Sequence, residues 1–299
     1  MPRRPTVRTP GRWGAAVLAP LLFGCGAIDP APPAGPPAAP LPARPARIVS
    51  INPCADLILW AVAEDAQIRA VSHWSHDPNA ASAPVAWARR FRATGGSAEE
   101  VLALQPDLVL AGAHTGRETA AALRRLGVPI LSLPVPATPE EAAAQVEEVG
   151  RAIGQARRGR AAAARLRLAL AGHRRADGPP VDGLVWQSGG LVPGAGTIAD
   201  ALLAHTGHRN MAAAHGIPAW GVLGLERLIA DPPRVIYAGE ARTRDRVLGH
   251  PAVAGLTARV AFVPFPQRLL NCAGPNIAEA AGRMAAGRDR AATAGRHGA

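Results

Sequence analysis

Short apolar runs alternate with longer helical stretches along this chain, in the order that builds parallel sheets covered by helices. Residues 47–52 (RIVSIN) predict a buried strand, and 53–63 predict the helix after it, with Asp56 as its N-cap. A second strand at 68–72 opens into the polar loop His73-Trp74-Ser75-His76-Asp77-Pro78. Ser97 then caps a short helix whose first turn carries Glu99 and Glu100, where the helix dipole favours anions. A strand ending at Gly112 follows, then a helix over 115–126 stopped by Gly127, then a strand at 128–131. The longest helical pattern, 138–171, starts at Thr138-Pro139-Glu140-Glu141, and Gly150, Gly154 and Gly159 weaken it enough to bend or interrupt it. After Gly178-Pro179-Pro180 the pattern restarts with a strand at 183–187, a glycine-rich loop at 188–197 and a helix at 198–206, and it closes with a strand at 259–264 and a helix at 275–286.

Two stretches say nearly the same thing 127 positions apart. Glu99 meets Glu226, Ala103 meets Ala230, Pro106 meets Pro233, Ala111 meets Ala238 and Gly112 meets Gly239. Each copy reads as a short helix, a proline stop and a buried strand, so two similar lobes are expected, each presenting a glutamate at the start of a helix. The expected division is a first α/β lobe at 45–137, a connecting helix at 138–175, a second α/β lobe at 176–286 and a disordered tail at 287–299.

The ends change the picture. Arg3, Arg4, Arg8 and Arg12 precede a short apolar stretch at 15–23, which reads as an export signal over residues 1–24 and is too short to span a bilayer. Leu22-Phe23-Gly24-Cys25 resembles a bacterial lipobox, so Cys25 is the expected lipidation site, and the Pro/Ala-rich segment over 25–44 is the expected tether to a membrane. The location expected from these features is the periplasm. The formal charge of +11 falls to +7 without the four leader arginines, and no basic patch interleaved with aromatics accompanies it, which argues against nucleic acid as a partner.

The stretches RIVSINPCADLILW (47–60), AVSHWSHDP (70–78), GSAEEVLALQPDLVLAG (96–112), LRRLGVPILSL (123–133) and the repeat at 222–239 together resemble the periplasmic binding proteins of cobalamin and ferric-siderophore ABC importers, most closely in the N-terminal half. The resemblance implies two Rossmann-like lobes, each with a central parallel sheet, joined by one long backbone helix. It implies a monomer that captures a small-molecule metal chelate (ferric siderophore, haem or corrinoid) between the lobes and hands it to a dimeric permease. No intrinsic cofactor is expected, and the cargo is expected to contain iron or cobalt. Glu99 and Glu226 match the carboxylates that dock such proteins on the permease, and Trp74 and Trp220 match aromatic positions that touch cargo. Trp186 and Gln187, at the end of the first strand of the second lobe, are expected on the pocket rim, and Arg268 is expected to hold an anionic group of the cargo. Gly112 and Ser188 stand where the cobalamin binder has aromatics, which puts cobalamin itself in doubt.

Other constellations compete. His73, His76 and His114, with Asp77, offer an alternative site for a bare zinc or manganese ion, although the acidic or histidine-rich collecting loop of metal binders is lacking. His205, His208 and His215 read as helix-end and loop residues. Cys54 and Cys272 are expected at the cleft, one per lobe, as packed or ligand-contacting thiols or as a disulfide that locks the lobes. An enzyme is not expected: Ser72, His73 and Asp77 lack a nucleophile elbow, and Gly189, Gly190, Gly194 and Gly196 lack the Lys-Ser/Thr of a phosphate loop.

Overall fold

The computed structural model describes residues 39–113, 117–175, 178–239 and 245–294. The export signal, Cys25, most of the tether and His114 lie outside the described residues. Five strands, β1 (Ile48–Ser50), β2 (Ile68–Ser72), β3 (Arg92–Thr94), β4 (Leu108–Gly112) and β5 (Ile130–Leu133), form a parallel sheet in the order β3-β2-β1-β4-β5. Its helices are α1 (Pro53–Val62), α2 (Val85–Ala88), α3 (Ala98–Ala103) and α4 (Arg117–Arg125). β1 and β4 are buried along their apolar lengths, as a strand covered on both faces requires. Strand β3 escaped the hydrophobic pattern because it is an edge strand with two of three residues exposed. Asn52, not Asp56, caps α1: its side chain accepts from the N–H groups of Cys54 and Ala55, while Asp56 is wholly buried.

The helical pattern at 138–171 divides into two helices, α5 (Pro139–Ala152) and α6 (Ala156–His173). Gly154 takes a φ of +74° at the turn. Buried Gln67 holds that turn by donating to the Ile153 carbonyl and accepting from Gln155 Nε2, both at 2.9 Å. A Cβ on Gly150 would lie 2.6 Å from Gly159 Cα, so the two glycines let α5 and α6 touch backbone to backbone. The interruption therefore folds the segment into a hairpin, in which α5 also meets the helix Ile198–His205 of the second lobe and the chain passes from α6 into the second sheet.

That sheet contains β6 (Val181–Trp186), β8 (His208–Asn210), β10 (Val235–Ala238) and β11 (Ala261–Pro264), all parallel, in the order β11-β10-β6-β8. A separate antiparallel ribbon pairs β7 (Leu191–Pro193) with β9 (Trp220–Val222). The helices are α7 (Ile198–His205), α8 (Met211–Ala214), α9 (Leu225–Ala230), α10 (Pro251–Ala254), α11 (Arg268–Asn271) and α12 (Ile277–Ala294). Helix α12 overturns the expectation of a disordered tail as far as Ala294: Ala291 is buried, and Asp289 accepts from the Arg175 guanidinium at 3.1 Å. Helix α6 packs on α1 of the first lobe and on α12 of the second. One apolar cluster accordingly runs from Leu57 through Leu166 to Ile277 and Met284, so the lobes share a core.

Below the second sheet, Tyr237 Oη lies 2.8 Å from His208 Nε2 and donates to the Met284 carbonyl, and Thr206 Oγ1 lies 3.0 Å from His208 Nδ1. Gly183 and Gly287 leave room for these rings, since a Cβ there would come within 2.7 Å of His208 or 2.5 Å of Tyr237. Burial pushes the His208 imidazole down to about 4.

Candidate functional site

In open parallel sheets ligands bind beyond the carboxyl ends of the strands, where the strand order reverses. In the first sheet that point lies between β1 and β4, and in the second between β6 and β10. The repeated Ala-Gly pairs end β4 and follow β10 at these points. Gly112 is required there: a Cβ would lie 2.1 Å from Asn52 Nδ2, the amide of the side chain that caps α1.

His73 and Trp74 are displayed on a 3-10 turn, His73–His76, directly after β2. Both are exposed, Trp74 by 51%, and their rings lie 4.6 Å apart. His73 Nδ1 is 3.2 Å from the Thr94 carbonyl, which can only accept, so Nδ1 carries the proton and Nε2 keeps its lone pair when the ring is neutral. The turn is tied from below by Asp56, whose Oδ2 accepts from the Ser72 N–H at 3.0 Å and from Ser75 Oγ at 2.6 Å.

In the second lobe Trp220 and Val222 of β9 are exposed, Trp220 by 46%. Trp186 is only 2% exposed and packs with Leu184, Val192 and Leu223, so the expected rim residue is part of the core beneath the ribbon. Gln187 is half-buried and its N–H donates to the Leu191 carbonyl. Asp245 holds the 3-10 turn Ser188–Gly190 by accepting from the Gly189 N–H, and it also accepts from Val247 and Leu248. Burial raises its carboxyl, but N–H donation from Leu248, Gly189 and Val247 outweighs this and leaves it below the usual range.

The lobes meet in a covalent bond. Cys54, in the first turn of α1, and Cys272, just after α11, form a disulfide with Cα atoms 5.1 Å apart. Of the alternatives open for these residues this excludes free thiols, so neither offers a thiolate to a ligand. Beside it Ser82 Oγ donates to the Arg268 carbonyl at 2.9 Å and Asn271 Nδ2 to the Ala80 carbonyl at 3.4 Å. The Arg268 guanidinium pairs with Glu279 and lines a groove of about 520 Å³ with Trp60, Val85 and Pro275. The same Glu279 carboxylate also pairs with Arg283 at 3.1 Å, so one acid serves two guanidinium groups and the cluster keeps a net positive charge.

The alternative ion site is not assembled among the described residues, where no three His, Cys, Asp or Glu side chains converge. His76 Nε2 is turned to the Ala88 carbonyl at 3.0 Å, away from the partner that binds His73. His205 Nε2 meets the Leu170 carbonyl at 2.8 Å, and His215 pairs with Asp231.

Glu99 and Glu226 are each the second residue of a six-residue helix, α3 and α9, and both are exposed. Neither makes a hydrogen bond or ion pair among the described residues. Glu100, by contrast, accepts from Thr94 Oγ1 at 3.0 Å and from the Gly95 N–H at 2.6 Å, and these bonds hold its carboxyl below the usual range. Sequence reasoning missed Asn52, Asp56 and Asp245 as organisers. An Asn directly before Pro53 was a readable cap signal, whereas nothing local marks Asp245 or the burial of Asp56.

The family model described as periplasmic binding protein matches residues 48–259. Among solved structures, the periplasmic heme-binding protein RhuT from Roseiflexus sp. RS-1 in apo form is 26% identical, with a TM-score of 0.68 over 82% of this chain and 98% of that one. The periplasmic vitamin B12 binding protein BtuF of Vibrio cholerae is 22% identical, with a TM-score of 0.68 over 84% of this chain and 99% of that one. A periplasmic heme binding protein from Pseudomonas aeruginosa is 23% identical, with a TM-score of 0.65 over 82% and 93%. No curated protein matches the chain.

Proposed function

Because this chain belongs to the periplasmic binding protein family, we propose that it is the substrate-binding component of an ABC importer whose cargo is a metal tetrapyrrole, haem first and a corrinoid second. The observation that carries this reading is the pair of exposed tryptophans, one in each lobe: Trp74 on the turn after β2 and Trp220 on ribbon strand β9. Flat π faces suit a flat apolar macrocycle, and burying an aromatic face against one supplies more than area alone. The 26% identity to a heme-binding protein supports haem before cobalamin. His73 adds a lone pair on Nε2 beside Trp74, and Gln187 adds an amide in the other lobe.

Glu99 and Glu226 serve as docking acids for the two permease subunits. Equivalent exposed carboxylates on pseudo-symmetric lobes fit a two-fold partner, and charge complementarity fixes orientation. A lipid on Cys25, followed by the Pro/Ala-rich segment, holds the domain at the membrane where that partner lies.

Titration with haemin, cyanocobalamin and zinc, followed by absorbance and calorimetry, tests the cargo. Stoichiometric haemin binding that weakens by about 1 kcal/mol or more in Trp74→Ala is the expected result. Tight zinc binding with no response to either tetrapyrrole overturns the reading.

A further inference from the structure

Asp56 is fully buried at the start of α1, its neighbour from β1 is Ser50, and its two hydrogen bonds go to Ser72 and Ser75 of the turn that carries His73 and Trp74. Its Oδ2 accepts from the Ser72 N–H and the Ser75 hydroxyl, and Ser72 Oγ in turn accepts from the Trp74 N–H at 3.4 Å. Its other oxygen, Oδ1, is buried without a hydrogen-bond donor. Ser50 of β1 neighbours the carboxyl, but its hydroxyl donates to the Asn52 carbonyl. Ser50 Oγ, which also accepts from the Asn52 N–H at 3.4 Å, keeps one acceptor position for a proton carried by the neighbouring carboxyl. An ionised carboxylate leaves a charge and an orphan acceptor out of contact with water.

We propose that Asp56 is a proton-operated positioning residue: in its acid form it keeps the Ser72–His76 turn closed and so presents His73 and Trp74 to cargo, whereas ionisation, although it strengthens the two ties themselves, favours opening of the turn because the open turn lets water reach the charge. The assignment of a cargo to the turn rests on the function proposed above, whereas the clamp does not. Groups facing Asp56 are neutral: Ser50 from β1, and Ser72 and Ser75 from β2 and its turn. The titratable groups of the turn, His73 and His76, are directed to the carbonyls of Thr94 and Ala88. Desolvation dominates and pushes the carboxyl up to about 7, against the neighbouring Ser50 hydroxyl and the ties from Ser75 and Ser72, which lower it. With the folded value above the unfolded one, the clamp is complete at low pH and is lost as pH rises through about 7. The acid fraction then falls about tenfold between pH 6 and pH 8.

Hydrogen exchange of the cargo-free protein, corrected for intrinsic rates, reads the clamp directly. Protection of residues 72–77 should fall about tenfold from pH 6 to pH 8 in the natural protein. In Asp56→Asn, whose amide reproduces the acid form, protection should not change with pH. Matching profiles in the two proteins overturn the proposal. Should Asp56→Asn fail to fold, Ser75→Ala removes one tie: lower protection at pH 6 with the pH dependence retained supports the clamp, and unaltered protection overturns it. Haemin affinity measured over the same range should weaken with pH relative to Asp56→Asn. A clamp seen by exchange with no haemin binding at any pH refutes the cargo and leaves the clamp standing.

Discussion

Replacing both Cys54 and Cys272 with serine removes a bond that closes a loop of 218 residues between the two lobes. In the chain-entropy description such a loop corresponds to about 5 kcal/mol, and measured disulfides deliver about 2–4 kcal/mol. For a domain of about 250 residues, each kcal/mol lowers Tm by roughly 2–4 °C, so a drop of roughly 10 °C is expected. Thermal unfolding followed by circular dichroism compares the natural protein, its reduced form and the double variant. The reduced form should behave like the double variant once reductant reaches Cys272, which is 3% exposed. Peptide mapping after alkylation in denaturant, without reductant, should leave Cys54 and Cys272 unlabelled. Labelling of both would refute the bond. An unlabelled pair whose removal leaves Tm unchanged would refute the argument that the bond adds stability to the junction beyond that of the shared core.

Reversing Glu99 and Glu226 to arginine should abolish cargo uptake by cells while tetrapyrrole affinity of the purified protein stays the same; a loss of affinity would move these residues into the pocket. His208, held near 4 by burial, binds a proton more readily in the unfolded chain, so stability should fall as pH drops from about 6.5 toward 4. The loss should reach roughly 3 kcal/mol. It is best measured by urea unfolding in the Asp56→Asn background, because Asp56 acts with the opposite sign over the same range. A slope that survives in His208→Gln would assign it elsewhere.

What was legible in the sequence followed from local rules. The 127-residue register returns as two six-residue helices, α3 and α9, and as strands β4 and β10 whose starts are 127 positions apart. Each carries its glutamate at the second helical position, because the helix start and the proline stop are set by residues next to one another. Misreadings arose where distant residues decide. Trp186 alternates into the covered face of a central strand, and only the ribbon above it buries the ring. Arg268 stands alone in the sequence, whereas in the fold Glu279, eleven residues on, pairs with both it and Arg283. The interruption expected at the glycines falls at residues 153–155, and its place is held by Gln67, far away in sequence, which donates to the buried Ile153 carbonyl. The segment at 287–294 reads as polar, yet Arg175 and the underside of the second lobe hold it.

The shared core decides where the cleft can adapt. Separating the lobes at their junction would expose Leu57 of α1, Leu166 of α6 and Ile277 of α12, at about 1.5–3 kcal/mol for each fully buried side chain. Those three alone cost roughly 5–9 kcal/mol, more than the 1–3 kcal/mol by which one binding event typically biases another. The disulfide adds a covalent limit at the same junction. A wide hinge is therefore out of reach, and adaptation falls to segments held by single hydrogen bonds worth about 1 kcal/mol each. Two such segments stand at the strand ends: the turn His73–His76, tied to Asp56, and the turn Ser188–Gly190, tied to Asp245. Under the proposed function, discrimination among cargoes should reside in how these turns present Trp74 and the ribbon carrying Trp220. Changing cargo preference should accordingly require substitutions in the turns and in Asp56 and Asp245, which tie them, rather than in the helices that join the lobes.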